Sequence, residues 1–596
     1  MSTFLRQVFA TMVGVFLLGL LLLIIVLGSL PDEEGVVLTD GSILIVDLSL
    51  PVMDNPVPAG FDALFGASSP VDPTPLHQLC AGIRLAADDP RIAGLYLSGS
   101  VGSTGWANLH ALRQAIEVFA VTEKPILSYF PYYDERALYL ASLADSVYIP
   151  PFSEVDLSGP AAEINYYADA FERFGVEVQV TRVGKYKSAV EPYLLGQMSA
   201  ENREQLQTLL NDIFDPALEA IADGYALEVD VLRKIVAERG VLTSSEALEA
   251  ELVDGVRYAE EVARELREIT EEGDWEGAGR YDFDQIWLEE YVASEVEEDS
   301  RVDGATVAVL FAEGDIVDGP SSDQIGGETL ALALEEARLD DGIVAVVLRV
   351  DSPGGSASAS EVILHQVELL SQSKPVVISM GDLAASGGYW ISSLADEIYA
   401  EANTITGSIG VFGMYPNVAG LAKELGVAVE TVELGPHANL YSMYQSKSAA
   451  TLARLQVSVD DVYDGFLQRV ANGRELEVDA VHEIAQGRVW SGQRALELGL
   501  IDNVGGLDDA LQRAAHLAGL TEGFAVEYWT YEADAWEEFI ASLVEQSPGS
   551  LVQATKAAQP LTSALPKALA DVMVELNRLG ARNGVYARMP FDFRLR

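Results

Sequence analysis

The chain has 596 residues, of which 49% are hydrophobic, enough for two or more domains with real cores and too many for a disordered polymer. Against 37 Lys and Arg stand 92 Asp and Glu, and the formal net charge of −55 excludes nucleic acid as a natural partner, since phosphate binding needs clustered cations. The single cysteine, Cys80, excludes an intramolecular disulfide, so packing alone must hold the fold.

Val8 to Leu30 is an almost uninterrupted apolar run without charge, and its length matches the hydrocarbon core of a bilayer. Arg6 precedes it and Asp32, Glu33 and Glu34 follow. That asymmetry predicts a transmembrane anchor with a cytoplasmic N-terminus and everything after residue 31 exported. A cleaved signal peptide is the competing reading, but the run is long for one and no small-x-small cleavage site precedes Pro31.

Beyond the anchor, short apolar runs alternate with helical stretches. Strands are predicted at Ser42 to Asp47, Ile92 to Leu97, Pro125 to Tyr129 and Ser146 to Ile149, with helices at Leu109 to Phe119 and Ala137 to Leu143. The pattern recurs with strands at Ala305 to Leu310, Ile343 to Val350, Pro375 to Met380 and Glu397 to Ala400, and helices at Ser360 to Leu370 and Gly388 to Leu394. Strands separated by helices imply βαβ units and a mostly parallel sheet, an α/β fold. A shift of 251 residues superposes Ile92–Leu97 on Ile343–Leu348 and Ser142–Asp145 on Ser393–Asp396, so the chain reads as one domain duplicated. The organisation expected is an anchor over 1–30, a first repeat over 31–270, an acidic connection over 271–302, a second repeat over 303–520 and an extension over 521–596 that lacks a counterpart.

Each repeat keeps a group that the other lacks. Ser386, in Ala385-Ser386-Gly387-Gly388, aligns with Glu135, whereas Lys187, in Gly184-Lys185-Tyr186-Lys187-Ser188, aligns with Ala438. Asp351-Ser352-Pro353-Gly354-Gly355 and the Ser386 segment are both strand-to-helix turns, one strand apart. In a parallel sheet they lie side by side at the C-terminal edge, where ligands bind. Small neighbours leave Ser386 approachable, but a serine hydroxyl needs a base. None of the six histidines lies in a comparable turn or with metal-ligand spacing, so a Ser/His/Asp triad and a zinc site are unsupported and no cofactor is expected. A lysine can serve if burial keeps it neutral. Lys185 and Lys187 stand two residues apart, and in an extended segment they point the same way, so spacing does not choose between them.

The serine turn, the Asp-Ser-Pro-Gly-Gly turn, the Tyr186-Lys187-Ser188-Ala189-Val190-Glu191-Pro192-Tyr193 segment, the duplication and the anchor together resemble the long form of bacterial signal peptide peptidase A. The resemblance runs from the anchor to about residue 520. It implies tandem domains of the Clp protease/crotonase-like fold, with Ser386 as nucleophile, Lys187 as general base and Ser408 positioning the lysine amine. Gly354, Gly355 and Gly387 would supply oxyanion-hole N–H groups. It further implies a homo-oligomer, read as a tetramer, on the outer side of the inner membrane, degrading signal peptides and other short unfolded segments. Two other readings compete. A crotonase-like acyl-CoA enzyme would not need the serine and lysine pair, and a noncatalytic membrane scaffold would have no reason to retain it.

Overall fold

The structure is a computed structural model and describes residues 38–49, 52–54, 74–102, 104–270, 282–296, 305–321, 324–435, 437–521, 523–529 and 586–589. The chain divides into two compact units, Met1–Thr39 and Asp40–Arg596. The apolar run Val8 to Leu30 lies outside the described residues, and among those described no helix is long and apolar enough to cross a membrane.

Two parallel sheets form the body of the second unit. The first runs in the order Gly255–Val256, Ser146–Ile149, Ile126–Tyr129, Ile92–Ser98, Ser42–Asp47 and Gln285–Trp287, every pair parallel. The second runs Val489–Ser491, Ile405–Gly407, Val376–Ala385, Ile343–Ser352, Thr306–Glu313 and Ala525–Trp529, with Glu397–Ala400 and Asn503–Val504 branching from it. All its pairs are parallel except Ile405–Gly407 with Val489–Ser491. The apolar runs of the sequence are unbroken because both faces of these strands are covered. Along Thr306–Glu313, Ala308, Leu310 and Ala312 pack in one core with Leu330, Leu334 and Ile363, whereas Val307, Val309 and Phe311 pack in another with Leu511 and Ala514. Each repeat also carries a long helix of 25 residues, Ala200–Gly224 and Ala449–Gly473, whose N-caps Ser199 and Ser448 accept backbone N–H groups.

Two expectations need correction. Within the stretch read as an acidic connection, Gln285–Trp287 is the edge strand of the first sheet, and Leu288–Glu295 is a helix that packs on Leu76–Asp88. Likewise Ala525–Trp529, in the extension read as lacking a counterpart, takes the equivalent edge beside Thr306–Glu313. Ile43 pairs with Gln285 as Val307 pairs with Val526, so the duplication reaches further than the local text suggested.

A third sheet joins the repeats. Its order is Ile325–Gly326, Ile316–Val317, Gly354–Ser356, Tyr586–Arg588, Val411–Asn417 and Glu177–Val183. Glu177–Val183 of the first repeat pairs antiparallel with Val411–Asn417 of the second over seven residues, Val183 facing Val411 and Glu177 facing Asn417. Buried Arg349 adds a polar tie between the repeats, donating to Asp54 Oδ2 at 3.0 Å, Asn108 Oδ1 at 3.0 Å and Ser379 Oγ at 2.9 Å.

Candidate active site

Val376–Ala385 delivers its last residues to a sharp turn, and Ser386 follows at φ 57 and ψ −108 as the N-cap of helix Gly387–Ser392. This backbone is strained for a residue with a Cβ, and such strain persists only when the surroundings fix it. They do so here through the Ser386 N–H, which donates to Gly407 O at 2.8 Å, and the Ser386 carbonyl, which accepts from Trp390 N–H at 2.8 Å. The small neighbours are required by space: a Cβ on Gly387 would stand 2.8 Å from Ser360 Oγ, and one on Gly388 2.8 Å from Ser352 O.

Lys187 arrives from the other repeat. Strand Glu177–Val183 ends at Gly184, whose φ of 104 starts a turn in which a Cβ would collide with Gln486 O. Tyr186 N–H donates to Gln486 O at 3.0 Å, and a Cβ on Gly487 would stand 2.5 Å from Lys187 Cβ, so the Gln486-Gly487 backbone closes on one side of the lysine. Helix Ala200–Gly224 closes the other. Gln205 Nε2 donates to Tyr186 O at 3.1 Å and to Ser188 Oγ at 3.0 Å, and Ser188 Oγ donates to Asn202 Oδ1 at 2.9 Å. The turn also separates the two lysines that spacing left equivalent. Lys185 is exposed over the Tyr186 ring, 5.0 Å from its centroid, whereas Lys187 is fully buried.

Lys187 Nζ lies 2.8 Å from Ser386 Oγ and 2.9 Å from both the carbonyl and the hydroxyl oxygen of Ser408. Burial alone holds its pKa well below the usual lysine value, because no carboxylate is close enough to restore the charge. A neutral amine has two N–H donors and one lone pair. Three partners match that set: the donors go to the two Ser408 oxygens, and the lone pair faces the Ser386 hydroxyl. Ser408 is itself held at a φ of 51, its N–H donating to Arg488 O at 2.7 Å.

The glycine turn stands beside this pair, with Ser352 opposite Ala384 across the sheet. The expectation that Gly354 supplies an oxyanion N–H is corrected, since that N–H donates to Ser352 Oγ at 3.1 Å. Gly354 acts by omission. At φ 94 it leaves open a space where a Cβ would stand 2.5 Å from the Gly387 nitrogen. The Gly387 nitrogen borders this space. Sequence reasoning missed Asn202 and Gln205 on the following long helix and Gln486 and Gly487 from the other repeat, which fix the lysine turn and carry no local motif.

The profile of peptidase family S49 matches this chain twice, over residues 119–272 and 368–521. The chain belongs to peptidase family S49. It is a serine protease with the family's domain in tandem. Among relatives of this S49 chain, "Protease 4" of Haemophilus influenzae is 35% identical over 462 residues, covering 76% of this chain and 74% of that one. "Protease 4" of Salmonella typhi is 32% identical, covering 92% and 89% respectively. A "Putative signal peptide peptidase SppA" of Enterococcus faecium is 32% identical over 247 residues, 40% of this chain and 72% of that one.

Proposed function

We propose that this S49 peptidase is a membrane-anchored endopeptidase with a Ser386/Lys187 dyad that degrades signal peptides left after export and other short unfolded segments. The observation that carries the dyad is the fully buried Lys187 amine 2.8 Å from Ser386 Oγ, its pKa held well below the usual lysine value by burial. Lys187 takes the Ser386 proton as Oγ attacks the scissile carbonyl, and it returns that proton to the leaving amine. Gly355 and Gly387 N–H groups stabilise the oxyanion. Lys187 then activates the water that hydrolyses the serine ester, while Ser408 keeps the amine aimed throughout.

Signal peptides as substrates are supported by the printed name of the Enterococcus relative. The apolar run before Pro31, with Arg6 ahead of it, supports an inner-membrane anchor with the catalytic repeats outside. The boundaries proposed are an anchor to residue 30, a lysine-bearing repeat that runs through the edge strand and helix ending at Glu295, and a serine-bearing repeat from about 303 through the edge strand ending at Trp529. The resemblance to signal peptide peptidase A extends the proposal to a homotetramer. A fluorophosphonate probe tests the core of it: label recovered on Ser386, and lost in Lys187→Ala, supports the dyad, whereas label on another serine refutes it.

A further inference from the structure

Gln486-Gly487-Arg488-Val489 of the second repeat bonds to three of the segments that surround the Lys187 amine. Gln486 O accepts the Tyr186 N–H at 3.0 Å, and the Gly487 N–H donates to Ile409 O at 2.7 Å. Arg488 O accepts the Ser408 N–H at 2.7 Å, and the Val489 N–H donates to Gln205 Oε1 at 3.3 Å. One short stretch thus grips the turn that carries Lys187, the turn that carries Ser408 and helix Ala200–Gly224. The grip has a conformational cost. Gln486 at φ 51 and Gly487 at φ 76 are consecutive left-handed residues, and Ser408 at φ 51 is a third. For Gln and Ser that backbone persists only where the surroundings fix it.

The Arg488 side chain fixes the same stretch from the solvent side. Its guanidinium carbon stands 4.8 Å from the centre of the Tyr186 ring and 4.4 Å from that of Trp490. Its Nη1 donates to Tyr186 Oη at 3.2 Å and to Glu204 Oε1 at 3.0 Å, and Tyr186 Oη donates to Glu204 Oε2 at 3.3 Å. Two flat rings and a carboxylate suit a planar guanidinium better than a point-like ammonium. The contact ties the residue beside Lys187 to the other repeat, across 302 positions of sequence. Exposure falls inward through this clasp: the Glu204 side chain is 56% exposed and that of Arg488 16%, whereas Tyr186 is 8% and Lys187 0% exposed. The charged and titratable groups in it are Lys185, Tyr186, Glu204 and Arg488, yet burial alone depresses the Lys187 pKa.

We propose that Arg488 is a positioning residue for the general base: stacked on Tyr186, it closes the Lys187 turn against Ser408 and keeps water from the amine, an inference that rests on the Ser386/Lys187 reading above. It acts through Tyr186 and Lys187 by excluding water, not through its charge. Without its guanidinium the turn would loosen, water would reach Lys187, and the amine would hold its proton to higher pH, because desolvation is what drives that proton off. The base would then be blocked over more of the pH range, and raising the pH would restore it.

The test is the pH dependence of kcat/KM on a synthetic apolar peptide for the full chain as wild type, Arg488→Met, Arg488→Lys and Tyr186→Phe. Arg488→Met should move the midpoint of the rise with pH upward by about one unit, a loss of about tenfold on the acid limb that disappears at alkaline pH. Arg488→Lys keeps the charge and loses the plane, so it should shift in the same way; a wild-type profile in this variant overturns the role of the stack. Tyr186→Phe keeps the ring but loses the hydroxyl bonds to Arg488 and Glu204, and its midpoint should rise by less. It carries the test where the Arg488 variants fail to fold, and an unshifted midpoint there overturns the proposal. So does an unshifted midpoint in Arg488→Met, even with activity lowered at every pH, since that is the mark of a residue that only supports the fold. A normal wild-type rise with unshifted variants leaves the dyad standing, whereas a wild type with no rise at all overturns the dyad and this inference with it.

Discussion

Lys187 shows how one residue's environment decides its chemistry. Because it is buried without a counter-ion, its pKa in the folded chain lies well below the value it has in the unfolded one, so between those two values the unfolded state binds the extra proton. That lowers stability increasingly as pH falls from the ordinary lysine value toward the folded one. The stability difference between Lys187→Met and wild type should therefore move in the variant's favour as pH decreases over that window, measured by urea unfolding at several pH values; a shift the other way would mean the amine is charged when folded. Ser408→Ala removes one of two oxygens that aim the amine and should cost about 1 kcal/mol, or roughly fivefold in kcat, with KM little changed. Gly354→Ala should lose about a hundredfold or more in kcat, because its methyl would enter the oxyanion space at a φ of 94. Ser386 was legible from its turn. Lys187 over Lys185 came from the family's motif, because a turn, and not the alternation of an extended strand, separates them.

Among the elements, the central strands were legible nearly to the residue, since burial on both faces writes an apolar run into the sequence. Ser42–Asp47, Ser146–Ile149 and Glu397–Ala400 fall where that reading put them. Edge strands were not. Gln285–Trp287 has three residues and Ala525–Trp529 five, each half covered, and their partners lie more than two hundred residues away. The Gln486 contact that holds the Lys187 turn was hidden for the same reason. Between helix Trp106–Ala120 and the second sheet lie two carboxylates: half-buried Asp382 accepts the Ala107 N–H at 2.8 Å, and buried Glu401 sits 3.6 Å from His110. Burial lifts Glu401 to about 7, so the folded chain holds a proton there that the unfolded chain has released, and stability is lost as pH rises through that value. Glu401→Gln should accordingly gain thermal stability relative to wild type between about pH 5 and pH 8; an unchanged or opposite difference in Tm would contradict the assignment.

At the scale of the whole molecule, the proposed dyad needs both copies of the duplicated domain. The serine stands on the second repeat and the lysine on the first, and the antiparallel pairing of Glu177–Val183 with Val411–Asn417 carries the lysine across. Arg349 reinforces that junction. Arg349→Met would leave Asp54 buried without its cation and should destabilise the chain by about 3–5 kcal/mol, read from chemical unfolding. The central claim, a neutral Lys187 acting on Ser386, is tested most directly by the pH–rate profile of peptide hydrolysis for wild type, Lys187→Ala and Lys185→Ala. The expected result is a wild-type kcat/KM that rises with pH as Lys187 loses its proton, the same profile in Lys185→Ala, and a loss of about 10²–10⁴ in Lys187→Ala. A wild-type profile flat from acid to alkaline pH, or inactivation by Lys185→Ala in place of Lys187→Ala, would contradict it.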